Sequence, residues 1–380
     1  MSQVTKRITC VTFIMCSLAC GTDRSGGQSD VASEEVALWE TEPAPHLTLR
    51  SADGGDTLNF AYAVDGVSTR DGGVALVDLR GPSLVFFDST GMRVSVVGRR
   101  GKGPGEFLAP VWIGHCLGDT LFVWDRMLMR LSAWSPKGEY LRDVPAPVGT
   151  IFLSCHRGGT IAAMQSPRAL SRGEALQGGD RLMTDIRVFS ARGDSLGTIR
   201  SVSAGQTRPL GVLTRLASGA GRIWVGTGNS AFVQIFDESG RSDGGMMLGV
   251  ARRSATPRHF EAAIDELVSM MAVEAQRRNA KAMLMKGNPP ALLPAYSELI
   301  ADDSDRLWTV LTAVGDTISR LRVAGRSGSV TGDVIFPADF RVFDVEKNRV
   351  LGVTSNHITG EQEVRRYRVT PPGVSKDVPP

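Results

Sequence analysis

The densest group of residues that could do chemistry lies in a glycine-rich segment, Val97–Phe107, with the sequence VGRRGKGPGEF. Arg99, Arg100 and Lys102 stand among its glycines. Trp112 follows in the next apolar run. Guanidinium and ammonium groups donate hydrogen bonds to phosphates and carboxylates. We therefore interpret these four residues as a candidate site for an anionic group. The alternative is a plain connection between strands that needs glycine's backbone freedom.

The segment does not match the phosphate-binding loops of nucleotide enzymes. A P-loop ends its G-x-x-x-x-G run in Lys-Ser or Lys-Thr, and a dinucleotide fingerprint opens a helix with G-x-G-x-x-G. Neither pattern is present here, and the chain also lacks the G-x-S-x-G and H-E-x-x-H motifs. The sequence therefore predicts no catalytic residue and no cofactor, and it favours a binding protein over an enzyme.

The N-terminal segment has the features of an export signal. Lys6-Arg7 precedes a short apolar stretch, Ile8–Leu18, which is too short to span a bilayer and is typical of a signal peptide. Ser17–Gly21 (SLACG) resembles the lipobox of bacterial lipoproteins, in which the cysteine becomes the lipidated N-terminus. The resemblance implies a signal peptide over 1–19 and a lipid anchor at Cys20. An ordinary secretory signal cleaved near the same place is the alternative.

A short pattern recurs six times along the chain. It consists of a branched apolar residue, an aromatic residue or Leu three positions later, and a turn residue four positions after that. The copies are Leu84/Phe87/Gly91, Leu131/Trp134/Gly138, Ile186/Phe189/Gly193, Val233/Phe236/Gly240, Ile318/Leu321/Gly325 and Val364/Tyr367/Pro371. Successive copies lie 46 to 55 residues apart, except for one interval of 85. A repeat of this length is typical of four-stranded propeller blades.

Each copy has the signals of a strand, a tight turn and another strand. In the first copy, the apolar runs Gly73–Asp78 and Ser83–Asp88 are bounded by turn residues. The repeats predict an all-β fold, a six-bladed β-propeller. His46–Arg50 is a strand without a local partner. We expect it to pair with Val364–Arg368 and close the ring, because closure removes open sheet edges.

The long interval coincides with an amphipathic helix, predicted at about 256–287 between blades 4 and 5. Thr256 is a suitable N-cap and Pro257 occupies the first helical position. Apolar residues then recur at helical spacing until Gly287. The helix either packs on the propeller and seals it, or acts as a lid or as a docking element for a partner.

One stretch resembles a known repeat. The motif G-x-x-G-x-G-P-G-E-F-x-x-P at 98–110, then V-x-D at 123–125, R-L at 130–131 and Gly138, is similar to the NHL-type six-bladed propeller repeat. Weaker repeats extend over most of 58–370. The chain also resembles bacterial six-bladed propeller lipoproteins of unassigned function. The resemblance implies the fold. Some related propellers are metal-dependent lactonases or lyases, with His, Glu or Asp from several blades around the channel.

Cys116 and Cys155 lie outside the N-terminal segment, and each precedes a glycine turn in neighbouring blades. Equivalent places in adjacent blades could be close, so a disulfide is possible in an oxidising compartment. Two buried free thiols are the alternative. His115 and His156 adjoin these cysteines, and two His with two Cys make a tetrahedral set on paper. Their spacing is not that of a zinc finger, and no metal site is predicted.

The composition sets the remaining expectations. The chain has 380 residues, 22% of them charged, and a formal net charge of +3. A charge balance this close to zero does not favour a nucleic-acid partner. The predicted organisation is a signal peptide over 1–19, a flexible tether over 20–45, the propeller over 46–372 and a tail over 373–380.

We expect an exported, monomeric lipoprotein that faces the periplasm or the cell surface. Its predicted role is to bind or scaffold an unknown protein, an anionic small molecule or a glycan. One alternative is a metal-dependent, lactonase-like hydrolase or lyase that uses the channel mouth, and another is a subunit of an envelope complex. Three or more convergent His, Asp or Glu side chains from different blades would favour an enzyme, whereas an apolar or Arg-rich face would favour binding.

Overall fold

The computed structural model describes residues 36–51, 59–167, 182–205, 209–269, 271, 273–337, 339–356 and 359–374. Over these residues the chain forms six antiparallel sheets around a central channel. Five sheets have four strands in chain order, and the sixth combines the last three strands with the N-terminal ones. The predicted six-bladed β-propeller is confirmed.

The first three blades use consecutive strands. Blade 1 contains β3 (Ala63–Ser68), β4 (Val74–Asp78), β5 (Ser83–Phe87) and β6 (Arg93–Val97). Blade 2 contains β7 (Pro110–Leu117), β8 (Thr120–Asp125), β9 (Arg130–Trp134) and β10 (Tyr140–Pro145). Blade 3 contains β11 (Thr150–Cys155), β12 (Thr160–Gln165), β13 (Leu182–Ser190) and β14 (Ser195–Gly205).

The other three blades complete the ring. Blade 4 contains β15 (Arg215–Gly219), β16 (Arg222–Gly226), β17 (Phe232–Phe236) and β18 (Ser242–Met247). Blade 5 contains β19 (Glu298–Ala301), β20 (Leu307–Val310), β21 (Ile318–Ala324) and β22 (Val330–Pro337). Blade 6 contains β23 (Arg341–Glu346), β24 (Arg349–Ser355) and β25 (Gln362–Thr370), with β1 (Glu40–Thr41) and β2 (Leu47–Arg50) at its outer edge.

Side-chain hydrogen bonds shape the hairpin turns of the repeat. In blade 1, the Asp88 carboxylate accepts a hydrogen bond from the Thr90 N–H at 2.9 Å, and Gly91 has a φ of +88°. This is an Asx turn, in which glycine supplies the left-handed conformation. Asp237 and Gly240 repeat the arrangement in blade 4.

The fifth copy of the repeat lies three residues later than the sequence pattern indicates. Ile318, its predicted core residue, is 43% exposed, whereas Leu321 is fully buried. The turn residue with positive φ is Gly328, and its N–H donates to the Gly325 carbonyl. The predicted register was wrong because Leu321 satisfies either apolar position of the pattern.

Two aspartates at equivalent positions of blades 1 and 2 connect the segment before the innermost strand with the turn after the second strand. The Asp125 carboxylate accepts backbone N–H bonds from residues before β7 and after β8, namely Leu108, Ala109, Met127 and Leu128. Asp78 makes the corresponding four bonds around β3 and β4. Each aspartate therefore fixes where the innermost strand of its blade begins.

The strand β2 closes the ring by pairing antiparallel with β25, with Leu49 opposite Val364. The predicted pairing of 46–50 with the strand around 364–368 is confirmed. β1 continues along the same edge, with Glu40 opposite Thr370. The side chains of Leu47 and Leu49 are buried between blades 6 and 1.

The packed structure begins earlier than the predicted boundary at residue 46. Trp39 is 4% exposed, and its ring meets Trp308 edge to face with centroids 5.3 Å apart. The backbone N–H of Trp39 donates to the Asp333 carbonyl at 2.8 Å. The prediction of a flexible tether over 20–45 was therefore wrong for residues 36–45, because Trp39 fills the apolar layer between blades 5 and 6. Residues 20–35 lie outside the described residues.

The core consists of apolar layers, one between each pair of neighbouring blades. Between blades 2 and 3, for example, Trp124 packs in one cluster with Ile161 and Phe189. Burying a large apolar side chain contributes roughly 1.5–3 kcal/mol. These layers hold the blades together although their strands belong to separate sheets, and they fix the innermost strands around the channel.

The insertion between blades 4 and 5 is helical, as predicted, but it contains two helices, α1 (Pro257–Ser269) and α2 (Glu274–Leu284). The predicted single helix over about 256–287 is interrupted because Val273 has an extended backbone (φ −101°, ψ 120°). No helix within the described ranges is long and apolar enough to cross a bilayer.

The insertion has its own small apolar cluster, with Phe260 and Ile264 at its centre. It is attached to blade 5 through Asp316, which pairs with Arg253 at 2.6 Å and with His259 at 3.2 Å. None of the described residues of the insertion lies in the wall of the central cavity.

Candidate functional site

The central channel contains a cavity of about 340 Å³. Its wall is built from the innermost strands of all six blades, β3, β7, β11, β15, β19 and β23. The volume lies at the lower end of the range for small-molecule sites. Because the apolar layers hold these strands in place, the cavity has a defined shape, and it is the candidate functional site.

Four carboxyl groups follow one another along one side of the cavity. They are Asp65 on β3, Asp344 and Glu346 on β23, and Asp303 in the turn after β19. The charge of Asp344 acts on both Asp65 and Glu346, and that of Asp303 acts on Glu346. We call these four residues the acidic stripe. It lies on the side of the channel formed by blades 5, 6 and 1.

Burial raises the pKa of three carboxyl groups of the acidic stripe. It is the main cause that raises the pKa of Asp65 to about 7, and the charge of Asp344 acts in the same direction. Burial also raises the pKa of Asp344, and burial together with the Asp344 charge raises the pKa of Glu346. The groups around the stripe therefore compensate its negative charge only in part.

Two residues of the stripe also connect neighbouring blades. Asp65 Oδ2 accepts a hydrogen bond from the Ile113 N–H of β7 at 3.1 Å. Asp344 Oδ2 accepts one from the Ser68 N–H of β3 at 2.9 Å. Both carboxylates thus satisfy backbone groups of the adjacent inner strand, which has no ladder partner on that side.

The positive groups of the cavity wall are already engaged within the protein. Arg157 donates to Glu346 Oε1 at 2.8 Å and to Asp119 Oδ1 at 2.7 Å. Arg341 donates to the Val64 carbonyl at 3.1 Å and covers a phenylalanine ring at 4.7 Å. Among the described residues the wall holds these two arginines against six carboxylates: Asp65, Glu298, Asp302, Asp303, Asp344 and Glu346.

Two buried polar atoms of the wall have no hydrogen-bond partner among the described residues, His115 Nδ1 and Ser218 Oγ. His115 Nε2 lies 2.8 Å from the Ser68 carbonyl oxygen, which can only accept, so Nε2 carries the proton and Nδ1 is an acceptor. Burial and the charge of Arg157 lower the pKa of His115, which keeps the ring neutral. Ser218 is 4% exposed.

The other side of the cavity differs in chemistry. Blades 2, 3 and 4 contribute Trp112, Phe152, Leu153 and Leu216 to the wall, and no carboxylate among the described residues. The Trp112 ring lies against Gly114, where a Cβ atom would come within 2.7 Å of the indole. The cavity is therefore asymmetric in charge: its carboxyl groups come only from blades 1, 5 and 6, whereas apolar side chains line both sides, Ile300 and Phe343 among them.

The four predicted binding residues are not brought together. Trp112 lies in the cavity wall, but Arg99, Arg100 and Lys102 are exposed in the connection between blades 1 and 2 and are not among the described wall residues. Arg99 Nε pairs with Glu106 Oε1 at 2.8 Å. An anionic partner for this connection stays a prediction.

The glycine-rich motif has a structural role. Phe107 is buried and stacks on Trp134 with centroids 5.6 Å apart. Gly105 has a φ of +69° and passes close to the same indole. Arg130 holds the connection by donating to the Gly103 and Glu106 carbonyls at 2.6 and 3.0 Å. These contacts explain the motif without a ligand.

Cys116 and Cys155 are joined in a disulfide, with their Cα atoms 5.1 Å apart. The bond links β7 to β11 at the cavity wall. Within the part of the chain that the structure describes, no three His, Cys, Asp or Glu side chains are arranged to hold a metal ion. Cys20, the predicted lipid anchor, lies outside the described residues.

The sequence reasoning did not single out the acidic stripe. Asp65 in V-D-G-V and Asp344 in F-D-V-E are charged residues within apolar strands, and such residues are rarely buried without a reason. That signal marks individual positions. It does not show that residues about 280 positions apart share one cavity.

No family model matches the chain, and no curated protein matches it in sequence. Among solved structures, it is similar to a Bacteroides fragilis protein described as exported (TM-score 0.51, 9% identity, covering 87% of this chain and 95% of that one). It is also similar to a member of the DUF4221 family from Bacteroides vulgatus (TM-score 0.55, 10% identity, 87% and 99% covered). Virginiamycin B lyase from Staphylococcus aureus is more distant (TM-score 0.41, 10% identity, 80% and 79% covered). At these identities the likeness shows the fold alone.

Proposed function

We propose that this protein is an exported binding protein whose ligand site is the central cavity. The observation that carries the proposal is a cavity of about 340 Å³, walled by all six blades and lined by both polar and apolar side chains. A concave site that combines apolar groups with a few polar ones is typical of a small-molecule site.

Export and membrane anchoring belong to the same proposal. They are supported by the N-terminal signal pattern and by the Cys116–Cys155 disulfide, since disulfides persist in oxidising compartments. The fold likeness to a Bacteroides fragilis protein described as exported is in keeping with this location. A lipid on Cys20 would hold the propeller at the membrane.

A propeller enzyme is the second candidate. Carboxyl groups from blades 1, 5 and 6 converge on the cavity, and Asp65, whose pKa is about 7, can exchange a proton at neutral pH. Binding remains our first proposal because Asp65 and Asp344 each accept a backbone N–H bond from the neighbouring blade. This role accounts for their presence without a reaction.

The cavity is tested by thermal-shift screening of the purified mature protein against a library of small molecules. We expect compounds that raise the melting temperature of the wild type and of Ser218→Ala, which keeps the space. The same compounds should fail with Ser218→Leu, which fills it. Hits that survive Ser218→Leu but are lost in Arg100→Ala or Lys102→Ala would place the ligand on the exposed connection instead.

Anchoring is tested by Cys20→Ser. We expect the wild type to fractionate with membranes and to carry an acyl mass at its N-terminus, and the variant to be released into the soluble exported fraction. Equal membrane association of both proteins, with no acyl mass on the wild type, would contradict the lipid anchor.

A further inference from the structure

We infer that the central cavity binds a small organic cation, with its ammonium group at the acidic stripe and its apolar part against Phe152 and Leu216. This inference rests on the proposed function and specifies the class of ligand. It combines the charge of the wall, the type of its unpartnered polar atoms and the distribution of its apolar groups.

The charge of the wall favours a cation. Six residues with carboxyl groups line the cavity, against two arginines. Asp302 is held by Arg306 and Glu298 by Arg215, which leaves the four carboxyl groups of the acidic stripe. The Arg157 guanidinium is bound by Glu346 and Asp119, and Arg341 is bound by a backbone carbonyl and an aromatic ring. An anion would therefore meet mostly like charge, whereas an ammonium group would meet carboxylates that lack a full set of partners.

The unpartnered nitrogen of His115 gives independent support. His115 Nδ1 can only accept a hydrogen bond, because the ring's proton is on Nε2. The His115 ring is close enough to Glu346 of the acidic stripe for the two to interact electrostatically. An ammonium group has donors and no acceptor, so it matches this atom. A carboxylate or phosphate would leave His115 Nδ1 unsatisfied.

The side of the wall opposite the acidic stripe carries apolar groups and no carboxyl group among the described residues. Blades follow one another around the ring, so blades 3 and 4 face the side formed by blades 6 and 1. Phe152 and Leu216 come from blades 3 and 4. A ligand with a cationic end and an aromatic or branched apolar end would therefore satisfy both sides at once.

Protonation of the acidic stripe gives the inference a pH signature. The carboxyl of Asp65 has a pKa of about 7, and the pKa values of Asp344 and Glu346 are also raised. Arg157 and Arg341 face the same groups and act in the opposite direction, and the His115 ring beside them is neutral. A bound cation would favour the ionised carboxylates, so its binding should release protons and become stronger as the pH rises from 5.5 to 8.

The test uses three probes that share a phenyl group and differ in charge: 2-phenylethylammonium, 2-phenylethanol and 3-phenylpropanoate. Calorimetric titration of the mature wild type at pH 8 should give at least tenfold stronger binding for the ammonium than for the alcohol. The carboxylate should bind most weakly. The ammonium affinity should fall at pH 5.5, while that of the alcohol should change less than twofold.

The matched variants are Glu346→Gln, which keeps an oxygen acceptor for Arg157, and Glu139→Gln, which makes the same chemical change on an exposed turn. Glu346→Gln should weaken ammonium binding about tenfold and leave alcohol binding within twofold. Glu139→Gln should change neither. Asp303→Asn, another neutralising change within the acidic stripe, serves as a second cavity variant with the same expected results if Glu346→Gln is unstable.

The outcomes separate the two proposals. If the ammonium and the alcohol bind equally, and Ser218→Leu abolishes both, the cavity is a ligand site but the cation inference is wrong. If the ammonium probe gives no heat and no thermal shift, the cation inference is also wrong. The proposed function falls with it only if the library screen yields no compound that depends on the space at Ser218.

Discussion

Asp65 is subject to two opposing influences. The Ile113 N–H donates to its carboxylate and favours the charged form, whereas burial and the charge of Asp344 favour the neutral form. Burial is the larger influence, and the pKa of Asp65 is about 7. Near neutral pH the residue is therefore close to half protonated. Its ionised form destabilises the folded protein, because the charge is buried.

This pKa implies a pH dependence of stability with a definite sign. Between pH 3.8 and about 7, the unfolded chain releases the proton and the folded chain keeps it. The contribution of Asp65 to stability is therefore complete below pH 3.8 and is lost as the pH rises through 7. Asp65→Asn mimics the protonated form at every pH. We expect its melting temperature to exceed that of the wild type by a margin that grows by about 2 °C or more between pH 5 and pH 8.

The measurement is thermal unfolding followed by circular dichroism at pH 5, 6, 7 and 8. Asp243→Asn, on an exposed position of β18, is the control, and its difference from the wild type should stay constant across the series. A constant difference for Asp65→Asn as well would show that Asp65 is charged throughout this range.

At the scale of the elements, the N-terminal segment contributes more to the fold than its composition suggests. Between residues 36 and 50, Trp39 fills the layer between blades 5 and 6, and β2 fills the one between blades 6 and 1. Arg306 lies 5.3 Å from the centre of the Trp39 ring. The segment is thus a structural component of two blade interfaces.

Trp39→Ala tests this role. Removing a buried aromatic side chain should lower the free energy of unfolding by about 3–5 kcal/mol, measured by urea denaturation. Leu38→Ala is the matched control, because Leu38 is the adjacent residue and is 59% exposed, so its effect should be within about 0.5 kcal/mol. Equal stability of the two variants would restore the view that the tether extends to residue 45.

The elements were predictable where their signals are local. Turns such as Asp88–Gly91 are set by residues adjacent in sequence, and the hairpins around them were read correctly. Two features were missed for the same reason, which is that tertiary packing decides them. In the sequence Trp39 is part of a polar segment, and only the fold shows that it packs against Trp308. The sequence pattern also allows Ile318 as the core residue of the fifth copy, but in the structure Leu321 is the buried one.

For the whole molecule, the repeat was enough to predict a ring of six blades, because five of the six blades are built from consecutive strands. The candidate site could not be predicted in the same way. Its wall takes residues from six strands between positions 64 and 346, and their convergence depends on the closed ring. The pairing of Cys116 with Cys155 was within reach because adjacent blades repeat the same geometry.

Ring closure also sets a condition on the order of events during synthesis. Leu47 and Leu49 are made early, but the strand that covers them, β25, is more than 300 residues away; Arg50 and Glu363, which pair across this edge, are 313 positions apart. Contacts of such separation form late. A chain that stops before β25 leaves two apolar side chains and an open sheet edge uncovered, which makes it prone to aggregation and proteolysis. Only a chain that has been synthesised through β25 can therefore cover β2 and form the closed ring that surrounds the cavity.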